Sequence, residues 1–364
     1  MHLLLHSKQD MKRNNSLSRT KKLLKETILP NGSLSFLGRV DRLEKIYYDI
    51  IAIEYPNAPK ESLASLDSFW TVIRQCYNLH QEGLSAEATL LFYEKIFCNE
   101  DYIDKYELEP QSRLYRIRKT EHGGLFSKEE MFHIPFDKRH LITNGRYSIN
   151  GIPSLYLCES TYICWEELGN PNFDTCNVSM FMNEQMVSVI NVAPIMKAFE
   201  KDKILKYPLA YVCSLGTNHP EAPFKEEYVI PQMLMQCLLI HNKTNTRTSY
   251  VGIRYLSNKA YVQRPLFPLN EKKELKRYFN YAFPAFGPYD NDGLSKKLKS
   301  IFSWSRPDTY GRYRLRTANM SVEERPTTDT YSGSAFSQIE SWCNVQWAHD
   351  NMLSYDSLEG ALSF

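Results

Sequence analysis

An α+β fold is predicted, and three observations predict it. Residues from about Arg42 to Phe97 place apolar side chains at three- and four-residue spacing. After Pro110 the texture changes to short alternating runs, beginning with Leu114-Tyr115-Arg116-Ile117-Arg118. The short strands that follow are mixed with a few helices and do not alternate with them one for one.

The helical stretch reads as three helices. The first carries Ile46, Tyr47, Ile50, Ile51 and Ile53, and Asn57-Ala58-Pro59 breaks it. A second is expected from Ser62 to His80, with Leu66, Phe69, Trp70, Ile73 and Tyr77 on one face. Gly83 separates it from a third, Ala86 to Phe97, carrying Leu90, Leu91, Tyr93 and Ile96. No chemistry is visible in this part.

Beyond Pro110, His122-Gly123-Gly124 and Ile134-Pro135 mark loops, and Ser154–Leu157 reads as a strand. A short helix is expected over Thr161–Leu168, stopped by Gly169. Ser179–Met182, Met186–Val192 and Tyr250–Leu256 are further strands, while Leu234–Ile240 fits a helix or a strand. In linear order this gives a flexible basic leader (1–25), a helical N-terminal module (26–110), a catalytic domain (111–310) and a polar extension (311–364). The leader holds seven Lys or Arg and one acid. The extension includes Thr327, Thr328, Thr330, Ser332 and Ser334, and its terminal patch Trp342–Trp347 is suited to docking back on the body.

Composition narrows the function classes. The chain has 364 residues, 43% hydrophobic and 24% charged, enough to bury a core without disulfides or metals. Lys plus Arg number 44 against 42 acids, and a net charge of +2 argues against a nucleic-acid partner. None of the eight cysteines forms a C-x-x-C pair, which points to free thiols in a reducing compartment and away from structural zinc. The leucines of MHLLLHSK are too few for a signal peptide, and no run of about 18 apolar residues suggests a membrane span. A cytoplasmic protein is expected. Neither G-x-G-x-x-G after a strand nor a phosphate loop occurs.

The segment Asn144–Gly169 carries the chemistry. Arg146 lies in a loop with glycine close on either side, ten residues before Tyr156 on a strand; Glu167 lies eleven residues further on, on the short helix. A helix starting near Ser160 sets Glu167 on one face with Ile163 and Cys164. A carboxylate there is costly to bury unless paired, which marks either a functional site or a structural pair with an arginine.

The order "YRI", then "GR-x-S-x-x-G-x-P-x-LYL-x-ES", then "CW-x-E" resembles the RES family, over about Leu114 to Phe302. The resemblance implies an ADP-ribosyltransferase-like mixed sheet and a bacterial toxin that cleaves NAD by hydrolysis or phosphorolysis. NAD is then substrate and not cofactor, with phosphate as a possible second substrate. A protein antitoxin with a helix-turn-helix domain is the implied partner. By position, Arg116 and Arg146 would grip the pyrophosphate, since a guanidinium offers charge and a planar fork. Tyr156 would stack on the nicotinamide, and Glu167 would stabilise the cation that develops at the anomeric carbon.

Alternatives stand at several positions. Arg118 shares a strand face with Arg116 and could exchange roles with it, and a register shift would exchange Glu166 for Glu167. A further serine of the family has no certain counterpart; Ser257 and Gln232 are the candidates. His133 fits a proton shuttle less well than a cap on a backbone group. Two other functions compete: an ADP-ribosyltransferase acting on a protein or nucleic acid, and a non-enzymatic interaction protein. Trp165, where transferases often carry an acid or glutamine, argues against transfer.

Overall fold

A computed structural model describes residues 2–120, 124–194, 198–244, 249–259, 276–317 and 331–361. It divides into two compact units. The first gathers Met1–Tyr106, Thr143–Asn150 and Ser188–Asn258; the second gathers Glu107–Ile142, Gly151–Val187 and Lys259–Phe364. Each unit thus collects segments from across the chain, unlike the linear order 26–110 and 111–310. Residues 122–123 of the expected glycine loop, and Thr327, Thr328 and Thr330, lie outside the described residues.

In the first unit, α1 (His2–Ile28), α2 (Phe36–Glu54), α3 (Lys60–Gln81) and α4 (Ser85–Phe92) follow one another. The stretch expected to be a flexible leader is helical from His2 onward. Ser16, Thr20, Leu23, Leu24, Thr27 and Ile28 are buried at helical spacing, while Lys21, Lys22 and Lys25 are exposed. The lysines at 21, 22 and 25 form its solvent face, and a count of basic residues hides the inward stripe.

Helix α2 starts where the Ser35 hydroxyl accepts from the Gly38 amide at 3.2 Å. In α3 all five residues expected on one face, Leu66, Phe69, Trp70, Ile73 and Tyr77, are buried. Each such side chain is worth roughly 1.5–3 kcal/mol on burial. The third helix is shorter than expected: α4 ends at Phe92 and Tyr93–Phe97 winds as a π-helical turn. Leu90 faces solvent, and Ala88, Phe92 and Ile96 form the buried side.

Arg39 on α2 is buried and ties the unit together. It donates to the carbonyls of Thr27 (3.1 Å), Leu29 (3.3 Å) and Gly216, and pairs with Glu227 at 3.1 Å. Gly216 is required there, since a Cβ would lie 1.8 Å from the Ile28 carbonyl oxygen. Strands β5 (Val187–Asn191) and β6 (Gly252–Leu256) pair parallel, Ile190 opposite Ile253. Between them in sequence come α6 (Tyr207–Cys213) and α7 (Val229–Thr244). The ambiguous run Leu234–Ile240 is the middle of α7. Ile230, Met233, Leu234, Cys237 and Leu238 form its buried stripe, a period visible only over the full length. Strand β1 (Lys105–Leu108) contains the first passage of the chain between units.

The second unit is built on antiparallel pairs in the order β7-β3-β2-β4-β8, with β9 also on β4. These are β2 (Arg113–Lys119), β3 (Ser154–Cys158), β4 (Cys176–Asn183), β7 (Phe279–Pro284), β8 (Phe302–Trp304) and β9 (Asp308–Thr309). Strand β4 is buried along its whole length, which extends the strand expected over 179–182. Both of its asparagines bond loop backbone, while Ser179 Oγ and Asn183 Oδ1 are sealed without a partner. Asn177 bonds Phe126 and Gly124, and Asn183 donates to the carbonyls of Leu108 and Glu109.

Helix α5 (Thr161–Glu167) follows β3, and the short α8 (Lys296–Lys299) precedes β8. Among the described residues two further helices of the unit follow, α9 (Tyr310–Thr317) and α10 (Ala335–Ala361). The expected docking of Trp342–Trp347 is observed. Trp342 Nε1 donates to the buried Asp308 carboxylate at 2.9 Å, and Trp347 Nε1 to Ser303 Oγ at 3.1 Å. Sheet and helices together make this a mixed α/β protein with a helical N-terminal region. Among the described residues no helix is long and apolar enough to cross a membrane.

Candidate functional site

Helix α5 is set by its ends. Ser160, in extended backbone, accepts from the Ile163 amide through its hydroxyl at 3.3 Å and caps the first turn. Gly169, at φ +78°, closes the last turn, its amide donating to Glu166 O at 3.1 Å. Within these limits Thr161, Tyr162, Ile163 and Cys164 are buried.

Two carboxylates follow one another at the C-terminal end. Glu166 is the deeper, 3% exposed, with Oε2 sealed from solvent and lacking a hydrogen-bond partner. Glu167, expected on the apolar face, is only half-buried. Its Oε1 accepts from Asn280 Nδ2 at 2.7 Å, and its carbonyl accepts from Lys259 Nζ at 2.8 Å. Asn280 on β7 lies opposite Cys158, two residues beyond Tyr156 on β3.

Arg116 occupies the middle of β2, opposite Ser179 of β4. Its Nη1 donates to the Tyr156 carbonyl at 3.1 Å, and its Nε is sealed without an acceptor. Burial, then the neighbouring Arg118, pulls the guanidinium down to about 10. Arg118 faces the same side but is engaged elsewhere: it donates to the Glu130 carbonyl and lies 4.3 Å over the Phe126 ring. Cys158 connects the cluster. Burial raises its thiol well above the ordinary range; the neighbouring Cys164 and the Glu167 charge raise it further, and Arg116 lowers it. Arg116, Tyr156 and Glu167 therefore share one neighbourhood of the second unit, held by β2, β3 and α5.

Arg146, Gln232 and Ser257 belong to the first unit. Arg146 Nη1 donates to the carbonyls of Cys213 (3.0 Å) and Leu215 (2.9 Å), just past the end of α6, and the guanidinium lies 4.9 Å over Tyr228. Gln232 Nε2 donates to Asn144 Oδ1 (2.7 Å) and Gly145 O (3.0 Å), so it holds the loop that carries Arg146. Ser257 is fully buried just after β6.

His133, in the second unit, caps backbone. Nδ1 meets the Ile134 carbonyl at 2.8 Å and Nε2 accepts from the Ser295 amide at 2.9 Å, which assigns the neutral Nδ1–H tautomer. Burial lowers it to about 4, so the ring is neutral at neutral pH.

Two residues of this region escape sequence reasoning. Asn280 had a signal, the lone polar side chain in Phe279-Asn280-Tyr281-Ala282-Phe283. Glu340 on α10 had none. It accepts from the Thr161 amide at 2.7 Å across 179 residues of chain.

The cluster defines a class of site: a carboxylate held by an amide donor, near a half-buried arginine and a strand tyrosine. The chain is 31% identical over 272 residues to a protein of Bacillus subtilis (strain 168) named "Putative toxin YopC". The likeness covers 67% of this chain, which spans 59% of that protein's length. No family model matches the chain, and no solved structure matches it.

Proposed function

We propose that the chain is a toxin that consumes NAD, cleaving the bond between nicotinamide and ribose. The observation that carries this reading is that Arg116 and Glu167 flank strand β3, which carries Tyr156, in one unit: Arg116 donates to the Tyr156 carbonyl, and Glu167 accepts from Asn280, which lies opposite Cys158. The toxin-named relative supports the physiological part, and the resemblance to the RES family supplies the substrate.

In this reading Arg116 meets the pyrophosphate. It commits Nη1 to one carbonyl, whereas Arg146 commits Nη1 to two. The Tyr156 ring stacks on nicotinamide. Glu167, held by Asn280, lies against the ribose as the C–N bond breaks and its electron pair leaves with nicotinamide. Water then adds at the anomeric carbon and loses a proton, giving ADP-ribose; phosphate in its place gives the ribosyl phosphate. Trp165 donates its indole N–H to the Pro171 carbonyl at 2.6 Å, a packing role that favours these small acceptors over a macromolecule. The protein would act in the cytoplasm, where its substrate is, restrained by an antitoxin.

The test is nicotinamide release from NAD by the purified protein, with and without phosphate. Release that depends on Glu167 supports the reading. Intact NAD under both conditions overturns it.

A further inference from the structure

Helix α5 has an incomplete N-terminal cap of its own. Ser160 serves the Ile163 amide, but the residue three positions after the cap, which in a capping box is Glu or Gln, is Ile163. The Thr161 amide is left for another acceptor, and Glu340 supplies it from α10. One oxygen, Oε1, accepts from the Thr161 amide (2.7 Å), the Thr161 hydroxyl (2.9 Å) and the Tyr331 hydroxyl.

The same helix covers the outer side of α5. Phe336 packs against Tyr162 and Trp165, both at 5.4 Å between ring centroids, and against Phe173 at 4.6 Å. The Phe336 carbonyl is a second acceptor for the Thr161 hydroxyl at 3.2 Å. Further along, the Cys343 thiol reaches the Val178 carbonyl of β4. Helix α10 thereby fixes α5 to the sheet at the end opposite Glu167. With only seven residues in α5, a tilt at Thr161 is transmitted to Glu167 within two turns.

We infer that Glu340 is a positioning residue: from the C-terminal helix it caps α5 and sets the place of the Glu167 carboxylate. The inference rests on the proposed NAD cleavage for its effect on rate, but not for its effect on α5. Two measurements on the full-length protein separate them. Amide hydrogen exchange is read over 161–168 in wild type, Glu340→Ala and Glu340→Gln. The glutamine variant keeps a carbonyl oxygen for the Thr161 amide. Steady-state NAD cleavage is read on the same three proteins.

Expected are at least tenfold faster exchange in Glu340→Ala, confined to 161–168, and near-wild-type exchange in Glu340→Gln. The kcat of Glu340→Ala should fall tenfold or more with KM within twofold, and Glu340→Gln should recover most of it. Unchanged exchange over 161–168 in Glu340→Ala overturns the inference whatever the activity. Exchange that rises throughout the second unit also overturns it, since Glu340 would then be a general support of the fold. If wild type leaves NAD intact, the proposed function fails and the exchange result still decides the role of Glu340.

Discussion

The side-chain amide of Asn280 donates to the carboxylate of Glu167 at 2.7 Å, joining the end of α5 to the start of β7. Glu167→Ala should therefore abolish nicotinamide release, by a factor of about a hundred or more. Asn280→Ala should lower kcat about tenfold, equivalent to about 1.4 kcal/mol, by leaving the carboxylate mobile. Asn280→Asp should cost more than Asn280→Ala, because a donor is replaced by a like charge. Steady-state kinetics on the three variants checks the order.

Arg116 and Arg118 share a strand face but not a role. Arg118 is bonded to the Glu130 carbonyl and stacked on Phe126, while the Nε of Arg116 has no acceptor. Arg116→Ala is expected to raise KM for NAD at least tenfold. Arg118→Ala should leave KM within threefold and lower thermal stability slightly. The reverse result would transfer the phosphate-binding role to Arg118.

His133 makes stability depend on pH. Its folded value, about 4, lies below the ordinary 6.5, so the unfolded chain binds the extra proton between those values. The stabilisation is complete above about pH 6.5 and is lost as pH falls toward 4. The difference amounts to about 3 kcal/mol. Urea unfolding at pH 7 and pH 5 should show the decline, and His133→Phe should flatten it while lowering stability at pH 7.

Breaking the Arg39–Glu227 pair should be among the most damaging changes in the first unit. Both side chains are buried, at 3% and 5% exposure, so Arg39→Ala leaves an unpaired carboxylate inside. The expected cost is about 3–5 kcal/mol. Denaturant unfolding of the variant measures it.

The sequence announces this molecule unevenly. The stripe of α3 and the strands around Tyr115 and Leu155 are legible because one buried face repeats at a fixed period. Ser160 and Gly169 bracket α5 because capping chemistry is local. Charge composition misleads at 1–25, where seven basic residues outweigh the inward stripe begun by Ser16, Thr20, Leu23 and Leu24. Arg146 and Gln232 are legible as a pair of polar residues. Their carbonyl and amide partners at Cys213, Leu215 and Asn144 are set by tertiary contacts that no local pattern encodes. The same holds for Glu340 and Thr161, which are 179 residues apart.

The interleaving of the two units has a consequence for synthesis. The chain passes between them five times, after residues 106, 142, 150, 187 and 258. The first unit lacks β6 until Leu256 has left the ribosome, and α5 lacks its cap until Glu340 has done so. A nascent chain thus carries Glu167 for much of its translation without the residue that completes the cap of its helix.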